Sequence, residues 1–371
     1  MGNAVRQIIR ELHGRIGPEP EPLKCGRVSD PAFVYRGNPA QGEHDQLGYR
    51  NRAILDRPDV LIIGDSQVYC PGVSCDQSWP AVFADLSGCD AYMSAVCGWG
   101  VLQSMLAFEE LLPLSPRQVF VFVYPGNDIF ETLRDCRLSS SASARALMED
   151  VGGLPPIDLR SFSKRNEEVA RLISIGFTRA QALASCSAQG MTDVCRATLE
   201  GRTYFLKEGM RFTVSDLEHP AIQGAFVLVE RCLKRMAKLA NSARIKLTVF
   251  GMPTLEYLMF LQGGGAKVQY PEKLGRLGRN EKSVFKRLRS VCARNGIVYR
   301  DVGPVLSNQL VRGIYPSDSD DGHLNALGCE LVGKLVNSDA SFERMSEAVI
   351  GRKGRRPRTP SDSVGRIYPL W

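Results

Sequence analysis

Apolar positions along this chain switch repeatedly between a strand period and a helix period. Residues 59–63 form a short β-branched apolar run ending in Gly64-Asp65-Ser66, which predicts a buried strand and a turn. Trp79, Val82, Phe83 and Leu86 then recur at helical spacing, closed by Gly88. Residues 91–95 read as a short strand running into Cys97-Gly98-Trp99-Gly100, and 101–112 as a helix stopped by Pro113. Residues 118–124 give the strongest strand, broken by Pro125-Gly126-Asn127-Asp128. Residues 131–220 change character: they are rich in Ser, Arg and Ala, with a helical stretch near 166–184, and read as an insertion. Regularity returns with a helix at 222–239, a strand around Ile245, Leu247 and Val249, a basic helix at 281–294 and a strand at 296–301. Asp320-Asp321-Gly322-His323 opens a last helix carrying Leu324, Leu327, Leu331 and Leu335.

Strands alternating with helices imply parallel pairing with helices on both faces. In such sheets ligands bind outside the carboxyl ends of the strands. The expected strands are followed there by Asp65-Ser66, Gly98, Asn127 and the loop before His323.

With 371 residues, 44% hydrophobic and 23% charged, the chain is long enough for one large domain with insertions. The expected organisation is a polar leader (1–52), an α/β domain (53–340, insertion about 131–220) and a basic tail (341–371). The net charge is +7, but residues 351–371 hold +5 of it. The body is therefore nearly neutral. The tail reads as a solvated end, so no nucleic-acid partner is expected, although Arg352, Lys353, Arg355, Arg356 and Arg358 could touch phosphates. No apolar run approaches the roughly 18 residues of a membrane span. The 11 cysteines form no CxxC pair, and several sit in apolar stretches, which points to reduced thiols and a cytoplasmic setting. Only four histidines exist (His13, His44, His219, His323), none at zinc spacing from a cysteine. No metal and no cofactor is expected. Gly263-Gly264-Gly265 lacks a following Lys-Ser/Thr and is not read as a phosphate cradle.

Ser66, at a strand-to-helix turn, needs a base to become a nucleophile. Of the four histidines, His323 alone follows a strand in the regular part. Asp320, three residues before it, can fold back to orient the imidazole more easily than Asp321, two residues before, so Asp320 is preferred and Asp321 is the alternative.

Gly64-Asp65-Ser66, Gly98, Gly126-Asn127-Asp128 and Asp320-x-x-His323, in this order, resemble the SGNH (GDSL-like) hydrolase superfamily. Softer matches are Leu47-Gly48-Tyr49-Arg50-Asn51, Trp79-Pro80 and His323-Leu324-Asn325 with Gly328; the resemblance spans residues 45–340 outside the insertion. Gln67-Val68 after the serine, and Ser94-Ala95-Val96-Cys97 before Gly98, depart from the pattern. The resemblance implies a three-layer, flavodoxin-like α/β/α sandwich around a mostly parallel sheet. It also implies a serine esterase with Ser66 as nucleophile, His323 as base and Asp320 orienting it. The backbone N–H groups of Ser66 and Gly98 and the Asn127 side chain would form the oxyanion hole. The expected reaction removes a short acyl group, acetyl first, from a hydroxyl on a carbohydrate or small molecule. Alternatives are acyl transfer by the same triad and a non-catalytic carbohydrate-binding module. Oligomeric state is not readable.

Overall fold

The computed structural model describes residues 2–17, 22–23, 26–151, 153–191 and 193–338; the basic run 352–358 lies outside them. Three short strands, β1 (Pro22–Leu23), β2 (Arg27–Asp30) and β3 (Val34–Gly37), make a small antiparallel sheet. Next come β4 (Val60–Gly64), β5 (Ala91–Ala95) and β6 (Gln118–Val123), then a hairpin of β7 (Cys195–Leu199) and β8 (Arg202–Leu206), and β9 (Lys246–Gly251). A two-residue β10 (Lys267–Val268) edges the hairpin, and β11 (Val298–Asp301) is the last strand.

Five strands build the central sheet in the order β11-β9-β6-β4-β5, every neighbouring pair parallel. The burial of every residue of β4 and β6 explains their unbroken apolar sequence, since a strand covered on both faces has no solvent side to mark. Alternation still sorts their side chains. Leu61, Ile63, Val119 and Val121 enter one core cluster with residues of the helices Val101–Leu111 and Pro220–Ala243. Val60, Ile62, Phe120 and Phe122 enter the other with residues of Trp79–Ser87 and Ala326–Asn337. This is the expected three-layer α/β/α sandwich. The chain runs from β4 to the edge strand β5, then crosses to β6 on the other side of β4. That reversal opens a crevice above the carboxyl end of β4.

Three expectations change. The segment expected as a polar leader folds onto the body: Val5, Ile8 and Leu12, one face of the helix Asn3–Ile16, share a core cluster with Leu61 and Val121. Arg36, fully buried, donates to Glu110 at 2.7 Å and to the Tyr49 hydroxyl at 2.9 Å, tying β3 to the helix behind β4. The insertion is not purely helical, because Glu200 and Gly201, both at positive φ, turn the β7–β8 hairpin. Its helical stretch is two helices, Arg160–Ser174 and Arg179–Ala188, separated at Gly176. The last helix starts at Ala326, capped by the Asn325 side chain, so His323 lies in the loop before it.

If the N-terminal helix is part of the core, Leu12→Ala should cost about 2–4 kcal/mol of unfolding free energy in a urea titration; a helix that merely decorates the body would lose almost nothing.

Candidate active site

Strand register brings the candidate residues to one edge of the sheet. Gly64 pairs with Ala95, and Ile63 with Val121, so the carboxyl ends of β4, β5 and β6 lie side by side. Ser66, Gly98 and Asn127 each follow within a few residues.

At Ser66 the chain turns at once into a short helix, Ser66–Tyr69, whose preceding residue Asp65 accepts the Gln67 N–H at 2.9 Å. Gly64 keeps this turn close to the sheet, since a Cβ there would stand 2.5 Å from Val68. Ser66 Oγ donates to Asp65 Oδ2 at 3.3 Å and is only 9% exposed. The far end of the turn is gripped by Arg50, which donates to the carbonyls of Tyr69 (3.0 Å), Cys70 (2.9 Å) and Val73 (2.7 Å).

Gly98 has φ +81°, and a Cβ would meet the Tyr35 hydroxyl at 2.8 Å, so both conformation and space require glycine. Its carbonyl accepts from that hydroxyl. Neither the Ser66 nor the Gly98 N–H has a protein acceptor among the described residues. The Asn127 amide makes a long contact, 3.4 Å, to Asp128 Oδ1 and also hydrogen-bonds the Glu131 carboxyl. The two backbone N–H groups near the strand ends are thus open to an incoming oxygen.

Acids crowd this side. Asp128 Oδ2 accepts the Tyr124 N–H at 2.8 Å, and burial, helped by Asp65, pushes its pKa well up. Burial likewise pushes Asp65 up. Glu131, one turn beyond Asn127 and unnoticed in the sequence, is pushed up to about 8 by burial, with Asp135 and Asp65 adding to it against Arg134. Glu131 Oε2 has no hydrogen-bond partner and lies 3.6 Å from where a Cβ on Gly98 would stand.

The opposite wall is the loop carrying His323. His323 Nδ1 lies 2.6 Å from Asp321 Oδ1, which also accepts the His323 backbone N–H at 3.0 Å. This ring contact holds Asp321 low against the upward push of burial. The carboxylate at the ring is therefore Asp321, the alternative to the preferred Asp320. Asp320 turns the other way, into the insertion. It accepts from Arg165, and from Arg179 at 2.9 and 3.1 Å, and stands 3.9 Å from the Lys207 ammonium. Against burial, Lys207, Arg179 and Arg165 hold its pKa well below the carboxylate range. The hairpin adds backbone support: the Phe205 N–H donates to the Ser319 carbonyl at 3.0 Å and the Asp318 N–H to the Thr203 carbonyl at 2.7 Å.

Two links close the two walls together. The Gln67 side-chain amide donates to the Gly322 carbonyl at 3.0 Å, joining the serine turn to the histidine loop. Arg211 donates to the Gly126 carbonyl at 2.5 Å, and its other terminal nitrogen lies 3.6 Å from where a Cβ on Gly322 would stand. The sequence reading missed Gln67, which looked like a mismatch, and Arg165, Arg179, Lys207 and Arg211, which sat in an insertion without a readable period. Among the described residues no group of three or more His, Cys, Asp or Glu side chains could hold a metal ion, and no helix is long and apolar enough to cross a membrane. A cleft of about 600 Å³ elsewhere on the insertion, lined by Lys164, Glu167, Glu168, Arg171, Gln189 and Met191, contains none of the candidate residues.

No family model matches the chain, and no curated protein is similar to it. Solved structures similar to it include a candidate lipolytic protein of the G-D-S-L family from Desulfitobacterium hafniense (14% identity, 75% of this chain and 97% of that one, TM-score 0.35). Others are a candidate acylhydrolase from Bacteroides fragilis (12%, 79% and 92%, TM-score 0.36) and an extracellular lipase from Streptomyces rimosus (16%, 78% and 99%, TM-score 0.37). The three-layer assignment stands on strand order and register alone.

The raised Glu131 carboxyl has a signed consequence. Its folded pKa of about 8 lies above the ordinary 4.5, so the unfolded chain releases this proton first. Stability should therefore fall as pH rises from about 4.5 towards 8. Glu131→Gln removes that proton, so in urea titrations its stability relative to wild type should improve across this window; a difference flat with pH would mean that Glu131 is ionised throughout.

Proposed function

We propose that this protein is a serine-dependent ester hydrolase that removes a short acyl group, acetyl first, from a hydroxyl of a carbohydrate or small molecule. The observation that carries the reading is the 2.6 Å pairing of His323 Nδ1 with Asp321, in a loop tied to the Ser66 turn through Gln67 and Gly322. A carboxylate at Nδ1 keeps the proton there and leaves Nε2 free to act as base.

In this mechanism Ser66 Oγ attacks the ester carbonyl carbon while its proton passes to His323 Nε2. Asp321 stabilises the imidazolium. The carbonyl oxygen takes the electron pair and is received by the Ser66 and Gly98 N–H groups and the Asn127 amide. The intermediate collapses, the C–O bond to the alcohol breaks, and the alcohol leaves with the proton from Nε2. Water then repeats the sequence on the acyl-enzyme and releases the carboxylic acid.

The test is a panel of p-nitrophenyl esters of increasing chain length, run beside acetylated sugars. Turnover should be greatest for acetyl, and Ser66→Ala should lower it by about three orders of magnitude or more without unfolding the protein. A Ser66→Ala protein retaining a tenth of the activity would sink the assignment.

The two aspartates should separate cleanly. Asp321→Asn should lower kcat by roughly 10²–10⁴ with little change in melting temperature. Asp320→Asn should instead destabilise the fold by about 3 kcal/mol, because it leaves buried cations without their carboxylate. The opposite pattern in thermal melts and kinetics would return the orienting role to Asp320.

A further inference from the structure

Four cations of the insertion stand beside the His323 loop with too few carboxylates to match them. Arg165 and Arg179 both bind Asp320, and Lys207 shares the same carboxylate from 3.9 Å. Arg211 is opposed by Glu256 at 3.7 Å. Asp320 thus faces three cations, with Asp321 and Glu256 acting on Lys207 from further off, an arrangement that a further anion would relieve. The Lys207 ammonium makes no hydrogen bond to any described residue, although its side chain is only 20% exposed. Burial lowers its pKa, and Arg211 and Arg165 add to that against the pull of Asp320. Arg179 is 45% exposed and completes the outer side of the group. Lys207 stands 3.9 Å from Asp320, whose chain neighbour Asp321 holds the His323 ring, which places the ammonium beside the His323 loop.

The charge on the other wall reinforces this. Burial pushes the Asp65, Asp128 and Glu131 carboxyls towards their neutral forms. With these acids pushed up, the Arg and Lys side chains of the insertion meet less opposing charge across the crevice.

We infer that Lys207 and Arg179 form a subsite for an oxyanion, a carboxylate or a phosphate, carried on the alcohol part of the ester. This rests on the proposed hydrolysis at Ser66 and narrows its substrate to acidic esters. Arg179 approaches the oxyanion with the part of its guanidinium exposed to solvent, and Lys207 supplies the ammonium donors that no protein group uses.

The experiment compares three aryl acetates: 4-acetoxybenzoate, 4-acetoxyphenyl phosphate and the uncharged methyl 4-acetoxybenzoate, each kcat/KM divided by the rate with hydroxide. The inference expects at least a tenfold preference for one or both anions, shrinking as salt rises from 20 to 500 mM. The carboxylate and phosphate arms show which oxyanion is taken. In Lys207→Gln the preference should fall to threefold or less, and Lys207→Arg should restore most of it. Arg179→Gln provides a second variant on an exposed side chain. Equal use of charged and uncharged esters by the wild type, or an unchanged preference in Lys207→Gln and Arg179→Gln, would overturn the subsite. Titration of the Ser66→Ala protein with 4-acetoxybenzoate and its methyl ester, followed by NMR, reads the subsite without turnover. Tighter binding of the anion there, beside undiminished turnover by Ser66→Ala, would remove the nucleophile assignment and leave the subsite standing. Loss of turnover with equal binding of both esters would do the reverse.

Discussion

The grip of the insertion on Asp320 is the interaction on which the candidate site depends. The residues between Ser319 and Asn325 belong to no helix or strand, so the Asp321 contact that holds the His323 ring has no regular backbone beneath it. A loop of this kind loses about 1–2 kcal/mol of conformational entropy for each residue it orders, and contacts from outside must offset that. They come from Arg165 and Arg179 on Asp320, from the β8 backbone on Asp318 and Ser319, from Gln67 on Gly322, and from the Asn325 cap at the other end. Each support comes from a different part of the chain. The segment between β6 and the helix Pro220–Ala243 is therefore a structural part of the site and not a removable decoration.

Two adjacent aspartates divide the work because Ser319 lies in a β-bridge with Tyr204, and successive side chains leaving extended backbone point to opposite sides. Asp320 goes to the insertion and Asp321 to the ring. Local sequence distance favoured Asp320, since three residues allow an easier fold-back than two. That argument weighed reach alone. It omitted competition for the carboxylate from Arg165, 155 residues earlier, and Arg179, 141 residues earlier. Long-range ion pairs of this kind leave no trace in spacing.

Features governed by local rules were legible. The runs that became β4 and β6 and the Gly64 and Gly98 turns follow from periodicity and glycine placement, while the order of the candidate residues came from the family resemblance. The β7–β8 hairpin was not, because its turn is Glu200-Gly201 instead of the Asn-Gly or Asp-Gly that announces such turns. The N-terminal segment was misjudged for another reason. Val5, Ile8 and Leu12 mark a helix face, but the polar composition around it conceals that the segment is anchored, with Arg15 reaching Asp30 and Glu110 and Arg36 buried against Glu110.

The same distribution of charge bears on how an oxyanion could form above β4. Ionised carboxylates at Asp65, Asp128 and Glu131 would oppose negative charge developing near Asn127 and Gly98, and in a site of low dielectric that opposition would be severe. Burial pushes the pKa of all three acids up, which works against that repulsion. The cations sit across the crevice, on the side of His323, where the His323 contacts, and to a lesser extent Lys207, hold Asp321 low. An arrangement with the acids charged and the cations distant would stabilise neither ion. The two sides of the crevice differ in solvation: the acids are buried, and the insertion that carries the bases is partly exposed at Arg179.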